Sequence, residues 1–390
     1  MKKSQKRKGR RQKLCVLLTL CTVFLWGSLL SISAYAENTD SLPEEYGNLQ
    51  EALPDEVTSY LPDGMFSEDV EKNAAALSEA ISPQYIFAIL EEVLGSTVSA
   101  GVRLFLVLCG LLILSAVFGN VRASISSPAL QNVTRFCTIG VLFATLIRLQ
   151  YRHLESVSLF FERLNALMVG MIPVGSVLLA MGGNVTTASA GNATLGVFLS
   201  VSENLCAATV IPVSCIGTAL AFCNAFSPDT GLRGLSSAIR KTYVFVLGLI
   251  MAVLAAILAA QTTLCAAADS VGARTARLVS STVIPVVGGS VGDTLRTIGT
   301  SVQYLKSIAG ISGILFLCLL LLPTLLSLIV TRLTFLLSSG VADMLGCESE
   351  GRLLSELGSV WGTMIAVVSM CSVMFLLALT LLVRVGVAAA

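Results

Sequence analysis

The chain has 390 residues, of which 55% are hydrophobic and only 13% are charged, and its mean hydropathy is +0.84. Soluble globular domains carry about 25% charged residues, so this composition excludes an ordinary soluble domain and indicates a membrane protein. The net charge of +1 conceals an asymmetry. Residues 1–13 hold eight Lys and Arg and no acid, whereas residues 37–92 hold fourteen Asp and Glu and a single base, Lys72.

The basic amino terminus has the three parts of a secretory signal. Residues 1–13 are basic, residues 14–30 are apolar, and residues 34–36 (Ala-Tyr-Ala) match the A-x-A cleavage pattern. The alternative is an uncleaved first helix. We expect cleavage, which makes residues 1–36 a signal peptide and starts the mature chain at Glu37, outside the cytoplasm.

The acidic segment that follows, residues 37–100, is expected to stay outside the cytoplasm, because bases rather than acids determine which loops remain inside. Prolines in its first half favour a loosely ordered chain. Ser67 and the Ser82-Pro83 pair are typical of helix starts, and they predict two helices in its second half.

The remainder, residues 101–390, contains seven apolar stretches, and about 20 apolar residues span the bilayer core. The stretches are residues 102–121, 136–147, 166–181, 205–226, 242–264, 308–330 and 361–383. They predict an all-α polytopic membrane protein with about seven transmembrane helices. The loops follow the positive-inside rule except for the basic loop around Arg240, which this count places outside. One span is therefore open to reassignment.

Two amphipathic stretches lie between the apolar ones. In residues 151–165, Leu154, Val157 and Phe161 recur at helical spacing, and residues 343–357 have a similar pattern. Both are predicted to be helices lying at the membrane interface, with a structural role.

Residues 283–301 are too polar and too rich in glycine for a lipid-facing span. We predict a re-entrant element or a hairpin on the cytoplasmic side, where small residues permit close packing and Asp293 pairs with Arg296 one turn later. The candidate packing motif consists of Ile284, Pro285, Gly288, Gly289, Gly292, Asp293 and Arg296.

The tripeptide Ile-Pro-Val occurs three times, at residues 172–174, 211–213 and 284–286. Candidate helix breaks in the apolar stretches are Pro173, Pro212 and Pro323. Broken helices build the binding sites of many transporters, whereas the alternative is simple kinking of a scaffold. Glu203, at the head of an apolar run, is expected near a membrane end, where its charge is tolerated.

Signatures of enzymes and ligand-binding sites are absent from the sequence. His153 is the single histidine, no Walker A motif occurs, and the eleven cysteines form no CxxC pair and mostly lie in or beside apolar runs. We therefore predict no catalytic residues, no metal site, no cofactor and no binding of nucleic acid.

Three blocks of sequence resemble the stage III sporulation protein AE family. They are residues 268–314 around VIPVVGGSVGDTLRTIG, residues 171–190 (MIPVGSVLLAMGGNVTTASA) and the carboxy-terminal residues 345–386. The resemblance implies a non-enzymatic subunit of the channel complex that links the mother cell and the forespore. It also implies a mother-cell membrane location around the forespore. The implied partners are the co-encoded stage III membrane proteins and one forespore membrane protein.

The other hypothesis is a self-contained permease for a small solute. A permease usually shows an intramembrane charge pair or an inverted repeat. The sequence shows no evident pair, and the three Ile-Pro-Val copies are unevenly spaced. These observations favour the subunit.

The signal peptide gives a direct prediction. Amino-terminal sequencing of the protein purified from membranes should start at Glu37, because residues 34–36 place the cleavage site there. A protein that still starts at Met1 would contradict cleavage and would place the first residue in the cytoplasm.

Overall fold

The structure is a computed structural model that describes residues 53, 55–67, 69–123, 127–181, 187–226, 232–283 and 288–384. Its described residues form helices and connecting turns, without a strand. The helices are α1 (Asp55–Thr58), α2 (Val70–Ile81), α3 (Pro83–Ala123), α4 (Pro128–Met181), a π-helical turn (Thr187–Gly191), α5 (Asn192–Phe226), α6 (Leu232–Val283), α7 (Gly288–Met344) and α8 (Glu348–Arg384). The predicted signal peptide, residues 1–36, lies outside the described residues.

Six of the described helices, α3 to α8, are long and apolar enough to cross a membrane. The predicted all-α polytopic class is confirmed, and the seven apolar stretches fall on these six helices. The second and third stretches are joined in α4, whose apolar candidate span is Phe136–Met181. Residues 148–165 contain neither Gly nor Pro, so nothing in the sequence between the two stretches ends the helix.

The interfacial helix predicted at residues 151–165 is instead the middle of α4 and packs inside the bundle. Val157, Phe160, Phe161 and Leu164 are almost completely buried. The helical spacing was read correctly, but the environment was wrong, because the apolar face contacts other helices rather than lipid head groups.

Joining these stretches also changes the count of crossings. If each of the six helices crosses once, the basic loop around Arg240 moves to the same side as Arg122, which removes the earlier disagreement. The basic residues Arg274 and Arg277 then change sides as well. Loop charge alone therefore does not decide the orientation.

The acidic segment packs against α7. The ring of Phe66 stacks on that of Phe316 with centroids 5.6 Å apart, although Phe316 lies within the predicted sixth span. Asp69 caps α2 by accepting a hydrogen bond from the Glu71 amide at 3.1 Å. The predicted helix start at Pro83 is confirmed, and the amide of Tyr85 donates to the Ser82 hydroxyl.

Glycine permits close contact between α3 and α7. A Cβ at Gly101 would overlap a γ-methyl group of Val330, and the Thr334 hydroxyl donates to the Gly101 carbonyl at 3.4 Å. Gly110, on the same helix, has open space around the position of a Cβ. The two glycines therefore form a matched pair for a packing test.

We predict that Gly101→Ala destabilises the protein by about 1–3 kcal/mol, because the added methyl forces α3 away from α7. The control, Gly110→Ala, should leave stability unchanged or raise it by up to about 1 kcal/mol, since alanine favours helix. Thermal unfolding of both variants in detergent measures the difference. Equal melting temperatures would contradict the predicted contact.

Candidate functional site: a buried polar layer around the start of α8

The chain reverses direction between α7 and α8 in three residues. Gly346 has φ +73°, which a residue with a side chain adopts only with strain. The Cys347 amide donates to the Ala342 carbonyl at 2.9 Å, and the Gly346 amide donates to the Asp343 carbonyl at 3.3 Å. This is the hydrogen-bond pattern of a Schellman motif, which ends α7 and directs α8 back along it.

Residues 343–357 are therefore the end of α7, a turn and the first turns of α8, and the prediction of an interfacial helix was wrong. Leu353, Leu354 and Leu357 are buried, and Glu350 and Glu356 are buried beside them. Glu350 and Glu356 thus face neighbouring helices, whereas Asp343 and Glu348 are exposed. Gly351 lets α8 approach α7, since a Cβ there would lie 2.8 Å from an Asp343 carboxylate oxygen.

Glu350 joins three helices at one carboxylate oxygen. Its Oε1 accepts a hydrogen bond from the Ser115 hydroxyl of α3 at 2.6 Å and a longer one from the Thr138 hydroxyl of α4 at 3.5 Å. Ser115 and Thr138 lie within apolar stretches, where a hydroxyl has few other partners. The carboxylate thus fixes how α3 and α4 sit against α8.

Glu356 and Arg240 form a buried ion pair between α8 and α6. The Arg240 Nη2 lies 2.8 Å from the Glu356 Oε2, and their side chains are only 10% and 7% exposed. Ser236 completes the cluster, because its hydroxyl donates to Glu356 and accepts a hydrogen bond from Arg240. A buried charge needs such a partner, since an unpaired one is strongly destabilising.

Aromatic rings pack against the polar layer one turn after Glu356 on α8. Trp361 is fully buried. Its ring makes T-shaped contacts with His153 of α4, with ring centroids 4.3 Å apart, and with Phe335 of α7, with ring centroids 5.7 Å apart. The single histidine of the chain is therefore packed against an indole ring. Among the described residues, no group of three His, Cys, Asp or Glu side chains is placed to hold a metal ion.

The arrangement binds five helices to one another. Carboxylates of α8 hold α3, α4 and α6, while the tight turn and the aromatic contacts hold α7. A buried hydrogen-bonded ion pair and bonded carboxylates fix helix positions and register. These side chains therefore serve the recognition of one helix by another.

The predicted packing motif at residues 283–301 is only partly within the described residues. Ile284 and Pro285 lie outside them. Gly288 begins α7, and the backbone at the other motif positions, Gly289, Gly292, Asp293 and Arg296, belongs to the first turns of that helix. The second part of this stretch is thus continuous in helix with the sixth apolar stretch. Its close packing and its re-entrant course stay predictions.

The three predicted helix breaks lie inside continuous helices. Pro173 is within α4, Pro212 within α5 and Pro323 within α7. Each lacks an amide proton and so removes one i→i−4 hydrogen bond, but none of them ends its helix.

Sequence reasoning missed Arg240, Glu350 and Glu356 as members of a site, because all three were assigned to loops or interfaces. One signal was available. Arg240 belonged to the basic loop that disagreed with the positive-inside rule under seven crossings. Such a disagreement is explained by a different count of crossings or by burial of the base against an acid. The sequence did not identify which acid.

The helices and the buried polar layer define a polytopic helical membrane protein whose described buried ion pair joins its own helices. The family model described as stage III sporulation protein AE matches residues 66–386, and the chain belongs to this family of sporulation proteins. It is 20% identical to stage III sporulation protein AE of Bacillus subtilis (strain 168) over 284 residues, covering 72% of this chain and 71% of the relative. No solved structure matches the chain.

The buried ion pair gives a prediction with a control on α8, the helix that carries Glu356. Arg240→Gln should destabilise the protein by about 3–5 kcal/mol, because Glu356 is left buried without a counter-ion. Arg352→Gln should cost less than about 1 kcal/mol, because Arg352 and Glu348 are 3.6 Å apart in an i,i+4 pair whose glutamate is largely exposed. Thermal or denaturant unfolding in detergent measures both.

The double variant Arg240→Gln with Glu356→Gln should be more stable than Arg240→Gln alone, since no unpaired charge remains. If Arg240→Gln unfolds at the same temperature as Arg352→Gln, the pair does not hold α6 against α8.

Proposed function

We propose that the protein is a non-enzymatic membrane subunit of the channel complex that connects the mother cell and the forespore during endospore formation. It acts in the mother-cell membrane around the forespore, with the other co-encoded stage III membrane proteins and a forespore membrane partner. The observation that carries the proposal is the family match over residues 66–386, a range that contains all six candidate spans.

The buried polar layer supports a structural role. Glu350, Glu356 and Arg240 are used to hold helices together, and His153 is packed against Trp361. A channel subunit needs a bundle that keeps its shape while neighbouring subunits bind to it. Carboxylates satisfied by specific partners supply that rigidity and fix one arrangement of the helices.

The outer surface also suits a subunit in a membrane. Side chains on α3 and the carboxy-terminal half of α7 present large apolar groups outward: Leu106, Ile113, Leu114, Val117, Phe118, Leu333, Leu336 and Leu337. Such an apolar surface contacts lipid or the spans of partner proteins.

A permease remains the second candidate, and one observation favours it. The sequence showed no evident intramembrane charge pair, whereas the structure contains the buried pair Arg240–Glu356. Charged residues inside membrane bundles often mark solute or proton pathways. A cavity of about 300 Å³ is also present, lined in part by Arg152, Glu155 and Pro323. These features are weaker support than the family match, because ion pairs also serve packing.

Affinity purification tests the two candidates. The full chain with an affinity tag, expressed from its own locus and extracted from sporulating cells in mild detergent, should bring down other stage III sporulation membrane proteins. The control variant Arg352→Gln should retrieve the same proteins, because its exposed pair contributes little to the fold. Deletion of the gene should leave growth normal and abolish heat-resistant spores.

Two outcomes would contradict the subunit. One is a protein that purifies without membrane partners and transports a solute in proteoliposomes, which would establish the permease. The other is a deletion strain that forms heat-resistant spores at normal frequency.

A further inference from the structure

Three glutamates are buried to nearly the same degree in the described bundle: Glu203 is 7%, Glu350 6% and Glu356 5% exposed. Glu350 accepts hydrogen bonds from Ser115 and Thr138, and Glu356 pairs with Arg240 and Ser236. Glu203 differs, because its Oε2 is buried without a hydrogen-bond partner in the described part of the chain. One carboxylate oxygen of the three glutamates is therefore buried and left unsatisfied.

Glu203 lies well inside its helix. The sequence analysis placed it near a membrane end, but α5 begins at Asn192 and its candidate span at Ala193. At 1.5 Å per residue, Glu203 is roughly 16 Å along the helix axis from its start. Glu203 therefore lies about three turns inside the helix, and its position near a membrane end stays a prediction.

Among the described residues, the charge that acts on Glu203 is negative. Glu162 of α4 is close enough to repel it, Cys371 of α8 is near it, and Cys206 lies one turn away on α5. On α6, the Tyr243 hydroxyl bonds to Thr209 of α5. The π-helical turn, Thr187–Gly191, contains no titratable residue. The ion pairs of the described residues do not include Glu203.

We propose that Glu203 is a proton-binding site inside the bundle. An ionised carboxylate in an apolar interior without a counter-ion is strongly unfavourable, and the nearby charge of Glu162 makes it more so. The carboxylate takes up one proton from a hydronium ion of the surrounding water: an O–H bond of the hydronium breaks, and the O–H bond of the carboxyl group forms. The carboxylates of Glu350 and Glu356 have hydrogen-bond partners on other helices. The site is independent of whether the protein acts as a subunit or a permease.

Dicyclohexylcarbodiimide tests this directly, because it reacts with protonated carboxyl groups in apolar surroundings. The O–H group adds across one N=C bond of the reagent, and the adduct rearranges to a stable N-acylurea without a leaving group. The full chain in lipid nanodiscs is treated with the reagent, digested and mapped by mass spectrometry. We expect the label at Glu203, several-fold above Glu350, Glu356 and the exposed Glu162.

The variant Glu203→Gln should lose this label and keep the neutral shape of the side chain. Because the label is mapped in the unmodified sequence, the test holds even if that variant fails to fold. An unlabelled Glu203, or equal labelling of the three buried glutamates, overturns the proposal.

Discussion

The burial of two carboxylates in the first turns of α8 constrains the helices around it. A buried carboxylate is costly unless other groups satisfy it, and in lipid those groups must come from the protein. Ser115 and Thr138 serve Glu350, while Arg240 and Ser236 serve Glu356. A shift of α3, α4 or α6 that breaks these bonds exposes charge to an apolar interior, so the arrangement of four helices depends on two side chains.

The polar layer also shows how membrane proteins differ from soluble ones in the use of amphipathic sequence. In water the polar face of a helix is turned outward, whereas polar side chains within a bilayer face the bundle interior. Glu350 and Glu356 follow the second rule. The buried ion pair Arg240–Glu356 contributes less net stability than its geometry suggests, because the desolvation of both charges offsets their attraction. Its clearer effect is on which helices meet, and at which turn.

Much of the fold could be predicted from the sequence, because apolar length and helix-start signals are local. The all-α class, the helix start at Pro83 and the family were confirmed. The joining of two apolar stretches in α4 was not predicted. On their own, residues 136–147 predict a whole transmembrane helix, because Arg135 and Arg148 flank them. The buried layer was missed for a different reason. Arg240 and Glu356 lie 116 residues apart in the sequence, and no local pattern predicts that they form an ion pair.

The stacking of Phe66 on Phe316 sets an order of events during biosynthesis. The acidic segment is made early, but its partner helix is among the last to be made, so this contact cannot form until nearly the whole chain has left the ribosome. Contacts between residues so distant in sequence form late and leave apolar surface uncovered meanwhile. The acidic segment therefore docks only after α7 has been made, and its docking indicates that the bundle beside it has been assembled.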